Sequence, residues 1–263
     1  MLFPNFKNKY KEESFCTPQK FLEYQRNRGK HPKFEPPTGV IFCYSKRLLD
    51  LIIKSYKVKK VEGFGGEFYL LKETNNKIGI IGNFGIGAPV VATLMEELIA
   101  FGVKRFVSIG VAGSLQKKLK LGDIVVCERA IRDEGTSYHY LKPSKYVHAS
   151  KLMIQKIKKV LDNSKIKYRI GATWTTDAPY RETLVEIKKY QKEGVLTVEM
   201  EASAIFAIAQ YKKVEAGVIL TISDYLSESE WKPKFHSTTK FLKKLFQIAK
   251  KVLKDFNDAG CRK

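Results

Sequence analysis

From Gly39 onward, apolar runs of strand length alternate with longer stretches of helix length, and this alternation constrains the fold more than any other feature of the chain. GVIFCY (39–44) reads as a buried strand and KRLLDLIIKSY (46–56) as a helix. EFYLLKE (67–73) and KIGIIGN (77–83) read as two strands. PVVATLMEELIAFG (89–102) reads as a helix with apolar residues three and four apart and a terminal Gly102. Strands follow at 105–110 and 123–131, a helix at 149–162, a strand at 168–175 and a helix at 182–193. LTVEM leads into a helix over 200–212, residues 216–223 form the last clear strand, and a helix over 236–256 closes the pattern. With no internal repeat and no linker, the alternation predicts an α/β fold: a single domain with a mixed central sheet flanked by helices. Residues 38–257 make up that domain. Residues 1–37 make an N-terminal extension with one short helix, capped by Thr17, opened by Pro18 and ended by Gly29.

Apolar residues are 44% of the chain and aromatics 12%, which suits a packed core rather than disorder. No apolar run approaches the roughly 18 residues that span a bilayer, and the first twenty residues lack the apolar stretch of a signal peptide. A cytoplasmic protein with no membrane partner is expected. Cys16, Cys43, Cys127 and Cys261 form no CxxC pair, so free thiols and no metal site are expected. The net charge of +21 raises the question of nucleic acid. The lysines, however, spread along 151–159 and 240–254 without the interleaved arginines and aromatics of single-strand binders, so no nucleic-acid partner is expected. A basic surface does draw in phosphate and anionic metabolites.

Ligands of open α/β sheets bind beyond the carboxyl ends of the strands. After strand 77–82 comes a turn with Gly85 and Gly87, which permits close backbone approach and leads to a helix N-terminus that favours an anion. A small-residue loop, Gly110 to Ser114, follows strand 105–109, and a polar one, Thr176 to Glu182, follows strand 168–175. Glu199 and Glu201 place two carboxylates at a helix start, where acids also serve simply to complement the dipole. Strand 216–223 runs into Asp224, a residue type that also caps and turns. Together these strand ends predict a small-molecule site.

The ordered segments 82–115, 122–140, TTDAPYRE (175–182), VEMEAS (198–203) and TISD (221–224) resemble the nucleoside phosphorylase family, which includes purine nucleoside phosphorylases, uridine phosphorylases and methylthioadenosine nucleosidases. The likeness spans roughly residues 38–255. It implies that Glu201 holds the ribose hydroxyls, since a carboxylate accepts two hydrogen bonds at once. Met200 would pack beneath the sugar, and Glu199 would orient a basic phosphate ligand. Ala112 and Gly113 would line the base pocket. Pro179 stands where relatives carry Phe, so Tyr180 takes the role of aromatic wall. Asp224 matches the acid that protonates the departing purine. Thr183 stands where uridine phosphorylases carry Gln, which favours purine, while Arg181 keeps pyrimidine open. His31, with His139 as a weaker rival, matches a histidine that crosses to the neighbouring subunit and bonds the ribose 5′-hydroxyl; the alternative is a plain surface histidine.

The resemblance is least complete around phosphate. Arg47 matches the first of two arginines supplied by one subunit. Ser108 replaces the second, and the neighbour's arginine falls near Lys59 or Lys60. Lys and Ser offer only point contacts where a bidentate Arg is lost, and Arg132 is a candidate replacement. The turn Cys43 to Arg47 has no acid to activate water, which favours phosphorolysis over hydrolysis. The expectation is therefore a purine nucleoside phosphorylase that works as a homo-oligomer, dimer-based and as large as a hexamer. It would use Asp224 and Arg47 in catalysis, would hold phosphate with Arg47, Gly85, Gly87, Ser108 and Lys59, and would need inorganic phosphate as co-substrate but no cofactor or metal. The alternatives are a uridine phosphorylase, a phosphate-independent nucleosidase, and a non-catalytic nucleoside-binding protein.

Overall fold

A computed structural model describes residue 6, residues 8–226 and residues 230–260, with side chains through Phe256. The short helix of the extension, α1 (Pro18–Asn27), begins as expected: Thr17 Oγ1 accepts from the Lys20 N–H, and Pro18 occupies the first turn.

The strands β1 (Gly39–Cys43), β2 (Val58–Val61), β3 (Glu67–Leu71), β4 (Ile78–Gly82), β5 (Arg105–Ser114), β6 (Ile124–Asp133), β7 (Tyr146–His148), β8 (Arg169–Thr176), β9 (Thr197–Glu199), β10 (Glu215–Tyr225) and β11 (Lys232–Pro233) form one mixed sheet. Half of it closes on itself. β5 pairs in parallel with β10, β10 antiparallel with β6, β6 in parallel with β8, β8 in parallel with β9, and β9 antiparallel with β5. A wing of β1, β4, β3 and β2 extends from β5 through its parallel pairing with β1.

Helices cover both faces. On one, α3 (Ala88–Phe101) and α6 (Ala202–Lys212) pack through Val91, Leu94, Met95 and the apolar run Ala204–Ala209. The run from Ala202 to Ala209 is wholly buried, so its lack of a polar face is what its position demands. On the other face, α2 (Lys46–Ser55), α4 (Lys151–Asn163) and α7 (Thr239–Gly260) bury Leu48, Leu49, Met153, Ile157, Leu245 and Phe246. A smaller cluster sets Trp174 of β8 against Tyr190 of α5 (Leu184–Lys192), ring centroids 4.9 Å apart.

Two expectations need correction. Gly110 to Ser114 is not a loop: β5 runs through it, paired with β10 and, at Gly113 and Ser114, with β9. The short strands β2, β7 and β11 went unread. Two central lysines leave β2 without an apolar run, and β7 and β11 hold three and two residues. β11 includes Pro233, a residue that sheets confine to an edge.

Candidate active site

The β5–β10 register breaks at a single residue. Ile222 stands opposite Ala112 and Asp224 opposite Gly113, so Ser223 is extra, a β-bulge. Bulges re-aim neighbouring side chains, and here the Asp224 carboxylate, 6% exposed, lines a cavity of about 560 Å³. That volume lies within the range of small-molecule pockets. Asp224 Oδ1 accepts from Ser223 Oγ at 2.6 Å, and Oδ2 accepts from Trp231 Nε1 at 2.8 Å. Gly113 makes room for this. A Cβ there would overlap Leu226 Cδ1 and come within 3.1 Å of Asp224 Oδ2.

The start of α6 supplies the opposite wall with Glu199, Met200 and Glu201. Glu201 Oε1 accepts from the Gly87 N–H at 2.6 Å. Burial, reinforced by the Glu199 charge, raises its carboxyl above the usual range. Glu199 is committed elsewhere. One oxygen accepts from Thr175 Oγ1 at 2.5 Å, the other from the Glu201 and Ala202 N–H groups at 2.8 and 2.7 Å. It bonds the first N–H groups of α6, braces Glu201 and lines the cavity beside it.

Between these walls, Ser108 Oγ donates to the Tyr44 hydroxyl at 3.2 Å, and both residues line the cavity with Ala112 and Gly113. Burial, then the charge of Glu201, pushes the Tyr44 phenol well up. At the mouth stand Ile86, Tyr180, Leu184, Trp231 and Phe235, all substantially exposed. β11 ties Trp231 over Asp224, since Asp224 and Tyr225 pair with Pro233 and Lys232. Glu182 also lines the cavity. Burial, then the charges of Asp224 and Glu186, raises its carboxyl to about 7. Sequence reasoning gave no individual role to Tyr44, Glu182 or Trp231, although Glu182 ends the polar loop expected at the site. The one available signal was Trp231, an aromatic in the polar stretch between the last long strand and the last helix.

The expected cations stand apart. Arg47 lies exposed in the first turn of α2, outside the cavity lining. Its neighbour Lys46 is held by Asp50 at 2.7 Å and Glu67 at 3.0 Å. Lys59 is on the outermost strand of the wing, exposed. Arg181 is exposed beside Glu182 and does not line the cavity. His31 packs edge-on against Phe101, ring centroids 6.1 Å apart, with its Nδ1 buried and unpartnered. Arg132 is no replacement. Its guanidinium bonds Ser137 Oγ, Ser144 Oγ and the Leu141 and Lys142 carbonyls, pinning the loop after β6. Gly85 and Gly87 keep the positive φ values, 96° and 100°, that the turn requires. No Lys, Arg or His is among the described residues lining the cavity, whereas Glu182, Glu199, Glu201, Asp224 and Glu230 are. No metal-ligating cluster occurs among the described residues, and no helix there is long and apolar enough to cross a membrane.

Residues 39–256 match the model of the phosphorylase superfamily. Purine nucleoside phosphorylases of the DeoD type from Bacillus cereus and Bacillus thuringiensis are 29% identical over 177 residues, 66% of this chain and 72% of theirs. A uridine phosphorylase structure from Vibrio fischeri ES114 superposes with a TM-score of 0.71 at 23% identity, covering 86% of this chain and 93% of that one. The AMP nucleosidase structure from Bacteroides thetaiotaomicron VPI-5482 gives 0.74 at 22% identity, covering 93% of this chain and all of that one. At such identities the two structures speak to the fold alone.

Proposed function

On the premise that the chain belongs to the phosphorylase superfamily, we propose that it is an enzyme cleaving the N-glycosidic bond of a purine nucleoside, with inorganic phosphate as the acceptor. One observation carries the reading: Glu201 with Met200 and Asp224 with Trp231 line a single nucleoside-sized cavity. Cleavage builds positive charge on the sugar and negative charge on the base. A carboxylate at the sugar hydroxyls and a proton donor at the base answer both. In this reading Asp224, which accepts from Ser223 and Trp231, delivers the proton to the base. Tyr180, Leu184 and Phe235 give the base apolar faces. Phosphate would complete the site if Arg47 turns inward and a neighbouring copy brings Lys59 or His31, the source of cations that this subunit's described lining lacks. The products would be free base and ribose 1-phosphate.

A second reading, hydrolysis, is favoured by one specific observation, the absence of any cation among the described lining residues. A phosphate dianion set among carboxylates without a counter-charge is strongly disfavoured. Release of base from adenosine, inosine and uridine, measured with and without phosphate, separates the two. Dependence on phosphate with ribose 1-phosphate as product supports phosphorolysis. Equal rates with free ribose as product establish hydrolysis, and no release from any nucleoside ends both.

A further inference from the structure

The sequence places many of its lysines in two separate segments, 151–159 and 240–254, and the fold joins them. α4 and α7 lie side by side and share one core, through Met153, Ile157 and Leu161 on the first and Leu245, Phe246 and Val252 on the second. They run antiparallel: Lys156 Nζ donates to the Asp255 carbonyl at 3.5 Å, and Lys251 Nζ to Ser164 Oγ, just past α4, at 3.4 Å. With the apolar residues turned inward, the outward faces carry Lys151, Lys158 and Lys159 on α4, all exposed. On α7 they carry Lys240, Lys243, Lys244, Lys251 and Lys254, exposed as well.

Little on the protein answers that charge. Neither helix contains a glutamate. Among the described residues, the only ion pair made by a lysine of either helix joins Lys250 to Glu73. Lys240 stands three and four residues from Lys243 and Lys244, and Lys254 three and four from Lys251 and Lys250, spacings at which like charges repel on a helix. A helix face that only meets water commonly mixes both signs, and these two do not. None of these lysines lines the cavity, so the surface is separate from the nucleoside site.

We propose that the joined faces of α4 and α7 bind double-stranded nucleic acid through its phosphates, without reading its sequence. Charge complementarity calls for a polyanion, and what the surface lacks narrows the class. Single strands are held by bases stacked on aromatic side chains, and no aromatic of either helix is exposed among the described residues. Helices that dock on a bilayer bury apolar side chains in it. Here Leu152 is the only large apolar side chain exposed on either helix among the described residues. A duplex asks only for cations spread over a broad, rigid surface. From Lys240 to Lys254, α7 spans about 21 Å at about 1.5 Å per residue. A duplex passes about twelve phosphates over that length, with about half on one side, so about four to six contacts are within reach.

The test is the fluorescence anisotropy of labelled duplex DNA of mixed sequence, titrated with the full chain at several salt concentrations. The expected Kd is about 10⁻⁶–10⁻⁴ M at physiological salt, and affinity should fall by about 10²-fold to 10³-fold between about 50 and about 200 mM salt. Lys158→Gln with Lys159→Gln on α4, and Lys243→Gln with Lys244→Gln and Lys251→Gln on α7, should each weaken binding and reduce the salt slope by about one per lysine. Lys188→Gln with Lys189→Gln and Lys192→Gln removes the same charge from α5 as the α7 set does, and should leave the slope unchanged. A melting curve for each variant verifies folding. Absence of binding at the lowest salt overturns the proposal, as does an equal loss in the α5 set or tighter binding of a single strand of the same length. Tighter retention on phosphatidylserine vesicles than on the duplex, lost in the α4 and α7 variants, also overturns it and assigns the surface to a membrane. None of these outcomes bears on nucleoside cleavage.

Discussion

The Gly87 N–H donates to Glu201 Oε1 at 2.6 Å, joining the turn before α3 to the first turn of α6. The glycine turn, expected to cradle an incoming anion, already holds a carboxyl group of the protein. That bond fixes the orientation of the Glu201 carboxyl group. Replacing it by Gln keeps the shape but exchanges a carboxyl oxygen for an amide nitrogen, which cannot accept from a sugar hydroxyl. A hydrogen bond left without its acceptor costs about 1–3 kcal/mol, so Glu201→Gln should lower kcat/KM by about 5-fold to 100-fold. Steady-state kinetics with ribo- and 2′-deoxyribonucleosides tests this. An equal loss on both sugars supports a bond to the 3′-hydroxyl, and a loss confined to ribose supports one to the 2′-hydroxyl. An unchanged kcat/KM on both rules out the sugar-gripping role.

Asp224→Asn should cost about 10²-fold to 10⁴-fold in kcat on purine nucleosides, the usual worth of a positioned proton donor. A p-nitrophenyl riboside leaves as a stabilised anion and needs no proton, so the variant should process it at close to the wild-type rate. An equal loss on both substrates would show that Asp224 shapes the pocket rather than donating the proton.

Much of the fold was legible because the amphipathic helices carry their own period, as in α2, α4 and α7, and the buried strands are unbroken apolar runs, as in β1. Closure of β5, β10, β6, β8 and β9 into a ring was not, since it depends on pairings between residues as distant as Gly113 and Val198. The site divides in the same way. Glu201 and Asp224 sit in recognisable segments at strand ends. Tyr44, Glu182 and Trp231 acquire meaning only from neighbours brought by the fold: Ser108 for the first, Asp224 for the other two. The cation-poor lining was equally hidden, because a chain with net charge +21 gives no hint that its cavity gathers carboxylates.

Trp231 is 57% exposed and Trp174 is 1% exposed, so only one tryptophan can report on the cavity mouth. A purine settling beneath Trp231 should shift or quench the emission of that indole, and Trp231→Phe should abolish the change. Phe keeps the apolar lid but loses the N–H on Asp224. A hydrogen bond that orients the acid, worth about 0.5–1.5 kcal/mol, corresponds to about a 2-fold to 10-fold fall in kcat. An unaltered kcat in Trp231→Phe would reduce Trp231 to a lid.

The raised Glu182 carboxyl ties stability to pH. Its folded transition at about 7 lies above the unfolded 4.5, so the native state binds the proton more tightly. That contribution is complete below pH 4.5 and is lost as pH rises through 7. The full linkage would be roughly 3 kcal/mol, but a carboxyl partly open to solvent is screened, leaving about 1 kcal/mol. Glu182→Gln removes the cost of ionisation. Its Tm relative to wild type should therefore rise between pH 5 and pH 8 by about 2–4 °C. A Tm difference that is constant or falls across that window contradicts a raised transition.

Gly113 tests how closely the strand and the acid are fitted. Its backbone lies in ordinary strand geometry, paired with Asp224 and Val198, so alanine introduces no φ strain and acts only through its methyl. That methyl would overlap Leu226 Cδ1 and stand 3.1 Å from both Asp224 Oδ2 and Val198 Cγ1. Leu226 can turn its side chain, but Asp224 is tied to Ser223 and Trp231 and cannot move without breaking a bond. Gly113→Ala should cost about 1–3 kcal/mol of stability, as overpacked sites do. It should also lower kcat on purine nucleosides while leaving the p-nitrophenyl riboside rate largely intact. Thermal melts and the two-substrate comparison read both effects. A variant that loses stability yet keeps full purine activity would show that Asp224 tolerates displacement, contrary to the fit between the strand and the acid.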